Sequence, residues 1–307
     1  MPPDAVRNAR PWPPIAVLQA MRPRQWVKNL VVFAALIFSG HLTDQTAALR
    51  ALFAFLLFCA TSGAVYIVND LADAERDRRH PVKALRPIAS GALGPVAAIV
   101  AVVILLTGAL MAGFTIAPPF GAVLLIYAAV NLAYSFRLKE IVIIDVMVIA
   151  SGFVLRAVGG GLVIDVAVST WLIMCTILLS LFLAFCKRRQ EIESLPEAHE
   201  HRSILREYSV DFIDQMINVV TASTVTAYMF YTVSPEVEMK LGTRHLYLTV
   251  PFVLYGIFRY LYLVHQRGQG GSPTQALLTD RPLLLCVGLW ALTVVILLYV
   301  ARPAGNV

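Results

Sequence analysis

Nine apolar stretches, each about as long as a bilayer crossing, run through this chain at roughly 26–42, 47–69, 92–113, 116–134, 141–161, 166–188, 211–234, 245–264 and 281–301. A helix needs about 20 mostly apolar residues to cross the hydrocarbon core, and it bonds its own backbone polar groups on the way. Little chain is left over. Of the 307 residues, 58% are hydrophobic and 14% charged, whereas a soluble domain carries about a quarter charged residues. The fold class is therefore all-α: a polytopic membrane protein of about nine transmembrane helices, forming one integral membrane domain over 1–307. This excludes a large soluble catalytic domain, a secreted disulfide scaffold and a module that reads nucleic acid. Cys59, Cys175, Cys186 and Cys286 sit in or beside apolar runs with no Cys-x-x-Cys spacing, so they mark neither zinc nor a disulfide framework. The Pro- and Arg-rich first 24 residues do not read as a cleaved signal peptide.

The polar connections divide unequally. Nineteen Lys and Arg residues fall on the side shared by the N-terminus and the loops after spans two, four, six and eight; Arg50, Lys240, Arg244 and Arg302 fall on the other. The positive-inside rule then puts the basic segment 1–24 and the loops 70–91 and 187–210 in the cytoplasm, and the C-terminus outside. The expected location is the plasma (inner) membrane, with the lipid bilayer as a partner and no nucleic acid.

Span two leaves the membrane as Asn69-Asp70-Leu-Ala-Asp73-Ala-Glu75-Arg76-Asp77. On a continued helix Asp70, Asp73 and Asp77 stand at i, i+3 and i+7, so they share one face, with Asn69 beside Asp73. Stacked carboxylates repel one another, so their clustering calls for a cation, and oxygen ligands suit Mg²⁺, with Mn²⁺ as an alternative. Magnesium so held usually completes its shell with substrate phosphates. The competing reading is a solvated, charged helix end, but Asn69 and Asp70 lie on the apolar flank, where polarity is costly. Lys83 and Arg86 follow in a Pro-bounded loop and supply the usual phosphate donors.

Further polar groups gather at the same membrane face. Lys28 and Asn29 stand within an apolar segment just past Trp26, and span four ends at Tyr134, with Arg137 and Lys139 beyond it. Span five carries Asp145 and Arg156 on one helix face, about 16 Å apart along the axis. That is too far for a direct pair, so either an anion lies between them or Arg156 pairs with Asp165 across the Gly159-Gly160-Gly161 run. Span six ends in Lys187-Arg188-Arg189-Gln190-Glu191, where an anionic ligand would complete the basic cluster. His199 and His201 read as a solvated pair in this basic loop. Together the clusters describe a metal–polyphosphate pocket opening towards the cytoplasm.

Nine helices, an Asn-Asp-x-x-Asp-x-x-x-Asp motif after span two and a polar loop after span six resemble the UbiA superfamily of membrane prenyltransferases over nearly the whole chain. Its usual members carry a second aspartate-rich motif in the loop after span six, and here Lys187-Arg188-Arg189-Gln190-Glu191 stands instead. With Arg22-Pro-Arg-Gln25-Trp26-Val-Lys28-Asn29, Lys83/Arg86-Pro87 and Tyr134-Ser-Phe-Arg-Leu-Lys139, the chain is similar to the branch that makes decaprenylphosphoryl phosphoribose. That resemblance implies transfer of 5-phosphoribosyl from phosphoribosyl diphosphate (PRPP) to a polyprenyl phosphate, an early step towards the arabinose donor of cell-wall arabinan. Asp73 and Asp77 would hold magnesium, oriented by Asn69 and Asp70, against the departing diphosphate. The acceptor phosphate is already an anion and needs no general base. Lys28, Lys83, Arg86, Lys139, Lys187 and Arg188 would divide between the two substrate phosphates, with Asn29, Asp145 and Arg156 also in the substrate site. Tyr134 would stabilise positive charge developing on the ribose ring. A homo-oligomer, such as a trimer, is also expected. Two other readings remain: a prenyltransferase acting on an aromatic or haem acceptor, for which only Asp211 and Asp214 stand near enough to replace the second motif, and a transporter of an organic anion or lipid, which would place ionisable groups at the midplane.

Overall fold

The computed structural model describes residues 13–79, 82–194 and 203–301, and among them there is no strand. Eight helices are long and apolar enough to cross a membrane: Gln45–Ala72, Pro95–Ile116, Pro118–Phe136, Ile144–Val163, Thr170–Glu193, Val210–Val233, Leu246–Arg267 and Arg281–Val300. They match eight of the nine apolar stretches. The first stretch is built differently, as a 3₁₀ helix over Pro23–Val32 that passes into a short α-helix over Phe33–Phe38. A 3₁₀ helix rises about 2.0 Å per residue against 1.5 Å for α, so these two pieces together reach about 29 Å, close to the ~30 Å hydrocarbon thickness. The wider rise lets a segment shorter than a standard span run about as far.

The chain sorts into two compact units. The first contains α1 (Pro13–Ala20), the later part of α3 (Gln45–Ala72), α4 (Ala74–Arg78), α5 (Pro95–Ile116) and most of α6 (Pro118–Phe136). Its core near α1 is a cluster of Ala16, Ala20, Ile67, Ile88, Leu93 and Ala98. Phe58 meets the rings of Phe120 and Tyr127 edge-on, tying α3 to α6.

The second unit starts within the 3₁₀ helix at Val27, with α2 (Phe33–Phe38) and the start of α3, then takes in α7 (Ile144–Val163), α8 (Thr170–Ser194), α9 (Val210–Val233), α10 (Pro235–Leu241), α11 (Val250–Arg267), α12 (Pro273–Thr279) and α13 (Arg281–Val295), which ends in a π turn. Helix α8 packs against α7 and α9, and α11 packs against α13. Phe182, Cys186, Ile213, Ile217, Tyr260 and Leu263 form the centre of the core. Local chemistry sets the helix ends: Ser209 and Asp280 accept from backbone N–H groups three residues on, as N-caps do. Outward-facing Leu285 and Phe258 are 64% and 59% exposed, as lipid-facing side chains should be.

One expectation changes. Residues 187–194 continue α8 instead of opening the loop expected over 187–210. Lys187–Glu191 and Arg189–Glu193 stand at i, i+4, the spacing at which opposite charges support a helix beyond the membrane edge. The Gly159-Gly160-Gly161 run, at which the sequence leaves a break open, lies within a continuous α7. A Cβ built on Gly160 would lie 2.0 Å from the carbonyl oxygen of Val32, a backbone atom with nowhere to go, so glycine lets α7 pack directly on the end of the 3₁₀ helix. Gly160→Ala is therefore expected to destabilise the protein by about 2–4 kcal/mol, read as a lowered melting temperature in detergent. An unchanged melting temperature would disprove the close approach.

Candidate active site

In the first unit, α3 stops at Ala72 and Asp73 adopts φ −97°, ψ 5° before α4 begins. The helical ladder nevertheless crosses this step, because Asp73 N donates to Asn69 O at 3.0 Å and Asp77 N to Asp73 O at 2.8 Å. The phase is kept, and Asp70 and Asp77 are both buried on one side. A single guanidinium nitrogen, Arg86 Nη1, reaches both, at 3.0 Å from Asp70 Oδ1 and 2.6 Å from Asp77 Oδ2. Arg22 Nη2 donates to the same Asp70 oxygen, and its guanidinium carbon lies 5.0 Å from the Tyr66 ring centre. Asp73 stands at the rim, its side chain 19% exposed and 3.7 Å from the exposed Arg76. Asn69 and Lys83 are partly buried beside this group in sequence.

Among the described residues, no three carboxylate, histidine or thiol groups gather closely enough to cage a metal ion alone. The donor set instead suits magnesium that takes most of its shell from a ligand. One or two carboxylates with phosphates and water is the usual arrangement for Mg²⁺, and Asp73, at the rim, is the least enclosed of the three aspartates. His199 and His201 lie outside the described residues.

In the second unit the polar centre is a relay of buried groups. Asp145, near the start of α7, accepts from Arg188 Nε at 2.7 Å through Oδ2 and from the Tyr208 hydroxyl at 2.8 Å through Oδ1. Arg188 donates to Glu191 through Nη1 and to the Tyr134 hydroxyl at 3.1 Å through Nη2. Both Asp145 and Arg188 are fully buried. Arg189 is engaged as well, with Asp214 at 2.7 Å and with Glu193. The basic cluster, expected to be completed by an anionic ligand, also has acidic partners of its own. Helical spacing brings Glu191 and Glu193 back onto it, and α7 and α9 supply Asp145 and Asp214. Lys187, 39% exposed at its side chain, is the more accessible cation of the three, paired at 3.6 Å with Glu191.

The partner expected for Arg156 also changes. Its Nε donates to Asn29 Oδ1 at 2.6 Å and its Nη1 to Gly152 O at 2.7 Å. Asp165 lies exposed beyond the end of α7, because the unbroken helix carries it past the turn that a pair would need. Lys28 lies next to Asn29 on the 3₁₀ helix and Lys139 in the turn after α6, both partly buried. Two contributors carry no expected role. Arg22 stands in the sequence only as the head of the Arg22-Pro-Arg-Gln25-Trp26-Val-Lys28-Asn29 run, and nothing in the sequence singles out Tyr208.

Residues 29–278 match the model of the UbiA prenyltransferase family. The chain belongs to that family. Among its UbiA-family relatives, the decaprenyl-phosphate phosphoribosyltransferase of Corynebacterium glutamicum is 32% identical, over 92% of this chain and 87% of the relative. The enzyme of the same name from Mycobacterium tuberculosis is 31% identical, over 91% of this chain and 92% of its own. The fold is that of the solved UbiA homolog from Archaeoglobus fulgidus bound to GPP and Mg²⁺, with a TM-score of 0.69 at 18% identity, covering 91% of this chain and 99% of that one. This UbiA-family chain is a multi-pass membrane transferase.

Proposed function

We propose that the protein transfers 5-phosphoribosyl from PRPP to a polyprenyl phosphate, giving polyprenylphosphoryl-5-phosphoribose and diphosphate. The observation that carries this reading is the end of α8. Where UbiA-type prenyl transfer would need a second carboxylate cluster for another metal–diphosphate contact, this chain has Arg188 locked between Asp145, Glu191 and Tyr134, and Asp214 is committed to Arg189. The relatives from Corynebacterium glutamicum and Mycobacterium tuberculosis, matched over about nine-tenths of this chain, are named for phosphoribosyl transfer.

In the reaction an oxygen of the acceptor phosphate forms the bond to ribose C1 while the bond from C1 to the diphosphate oxygen breaks. The acceptor arrives deprotonated, so no side chain need remove a proton. Asp73 and Asp77, with Asn69 and Asp70, would hold magnesium, which when bound supplies Lewis-acid neutralisation of the leaving diphosphate. Arg86 and Lys83 offer donors to phosphate oxygens on the same unit. On the second unit, Lys28, Lys139 and Lys187 carry the charge for a phosphate. Arg188 orients Tyr134, whose ring face can stabilise positive charge developing on the ribose. Arg156 and Asn29 fix the 3₁₀ helix that carries Lys28. The basic side of the molecule, with the N-terminus, faces the cytoplasm of a plasma membrane by its charge distribution.

Detergent-purified protein given Mg²⁺, labelled PRPP and a long polyprenyl phosphate should move label into the lipid phase, and EDTA should stop it. Label reaching lipid only from a prenyl diphosphate and an aromatic acceptor would overturn the reading in favour of conventional prenyl transfer.

A further inference from the structure

We propose that Tyr208 is a positioning residue of the transfer reaction, setting Tyr134 through Asp145 and Arg188; this rests on the catalytic reading of Tyr134 given above. The Tyr208 hydroxyl has one proton to give and accepts in return, and both capacities are used. It donates to Asp145 Oδ1 at 2.8 Å and accepts from Ile143 N at 2.7 Å. The other Asp145 oxygen takes Arg188 Nε, and Arg188 Nη2 reaches the Tyr134 hydroxyl. Four side chains from four different parts of the unit therefore form one hydrogen-bonded line ending at Tyr134.

The start of α7 shows why a rigid anchor is needed there. Ile143 has φ 69° and ψ −43°, a conformation that a β-branched residue almost never adopts and that persists only where its surroundings hold it. The N–H of Ile143 lies at the helix start, where N–H groups lack partners within the helix. Tyr208 supplies that partner and, two residues further on, holds the carboxylate. Its own ring is immobilised: it is buried, stacked on Phe212 with ring centres 6.2 Å apart, and packed in the cluster that includes Ile204, Leu205 and Ile213. Burial, reinforced by Asp145 and opposed by the Ile143 N–H, pushes the hydroxyl up to about 12, so it remains a donor at neutral pH.

Tyr134 is thus placed by Arg188, and Arg188 is only as well placed as Asp145. Tyr208→Phe keeps the ring and removes both bonds. Kcat should fall about ten-fold or more, as when a supporting hydrogen bond to a site residue is lost, with smaller changes in KM for either substrate.

Two controls separate positioning from simple support of α7. In a Tyr134→Phe background, Tyr208→Phe should cost nothing further, whereas independent losses that multiply would overturn the proposal. Ile143→Gly, which accepts the positive φ, should restore the melting temperature of Tyr208→Phe without restoring kcat; recovery of both would reduce Tyr208 to a structural pin. A readout independent of turnover is the ¹⁹F resonance of 3-fluorotyrosine placed at position 134 of the full chain. It should shift on Tyr208→Phe, and an unmoved line would overturn the proposal. If the wild-type protein transfers nothing from PRPP, the reading of the reaction fails, and the fluorine line still decides whether Tyr208 sets Tyr134.

Discussion

An Asp73→Ala protein is expected to fold as the wild type does and to lose about a thousand-fold in kcat, the scale on which transition-state charge stabilisation is lost. The separation of the two effects follows from where Asp73 stands. Its side chain is at the rim, its ion pair with exposed Arg76 is 3.7 Å long, and it makes no side-chain cap bond to the helix that follows. Ion pairs with one solvent-exposed member contribute about 0–1 kcal/mol. Asp77 is a poorer probe. It is buried against Arg86, which also serves Asp70, so removing it takes one of two carboxylates from a partly buried cation and mixes a folding loss into the rate. Turnover of Asp73→Ala with PRPP and polyprenyl phosphate, measured beside its melting temperature in detergent, checks the prediction. Activity within ten-fold of wild type would mean that the carboxylates at the end of α3 serve structure alone.

The sequence made this end of α3 legible because helical phase is a local property. Asp70 and Asp77 are seven residues apart, and the i→i+4 bonds from Asn69 to Asp73 and from Asp73 to Asp77 keep that phase through the break. The spans were legible for a similar reason, since a bilayer fixes the length of an apolar run. Three features were not. Arg22 meets Asp70 across 48 residues, Tyr208 meets Asp145 across 63, and Asn29 meets Arg156 across 127. No periodicity links such positions, so the sequence points Arg156 to an anion or to Asp165, whereas its Nε donates to the Asn29 amide oxygen. The end of α8 was misplaced because hydropathy marks where the membrane stops, whereas Lys187, Arg188, Arg189 and Glu191 continue the helix into water.

Asp145→Leu is expected to cost about 3–5 kcal/mol, the usual loss when one member of a buried ion pair is removed, which is a melting temperature lower by on the order of 10 °C. Arg188 is fully buried, and without Asp145 it keeps, among the described residues, Glu191 as its ion-pair partner. Tyr208 loses its acceptor at the same time. The penalty therefore comes mostly from the stranded cation, and removing that cation should relieve it. The double variant Asp145→Leu, Arg188→Met should regain most of the lost stability, because apolar groups of similar volume often replace a buried pair at little cost; Glu191 still has Lys187 at 3.6 Å. Activity should not return, since Tyr134 no longer receives the Arg188 bond that orients it. Such a stable but inactive double variant would show that the pair is kept for the reaction and not for the fold. A double variant with near wild-type kcat would remove Arg188 from the active site, and a single variant as stable as wild type would mean that the Asp145–Arg188 contact contributes nothing to the folded state.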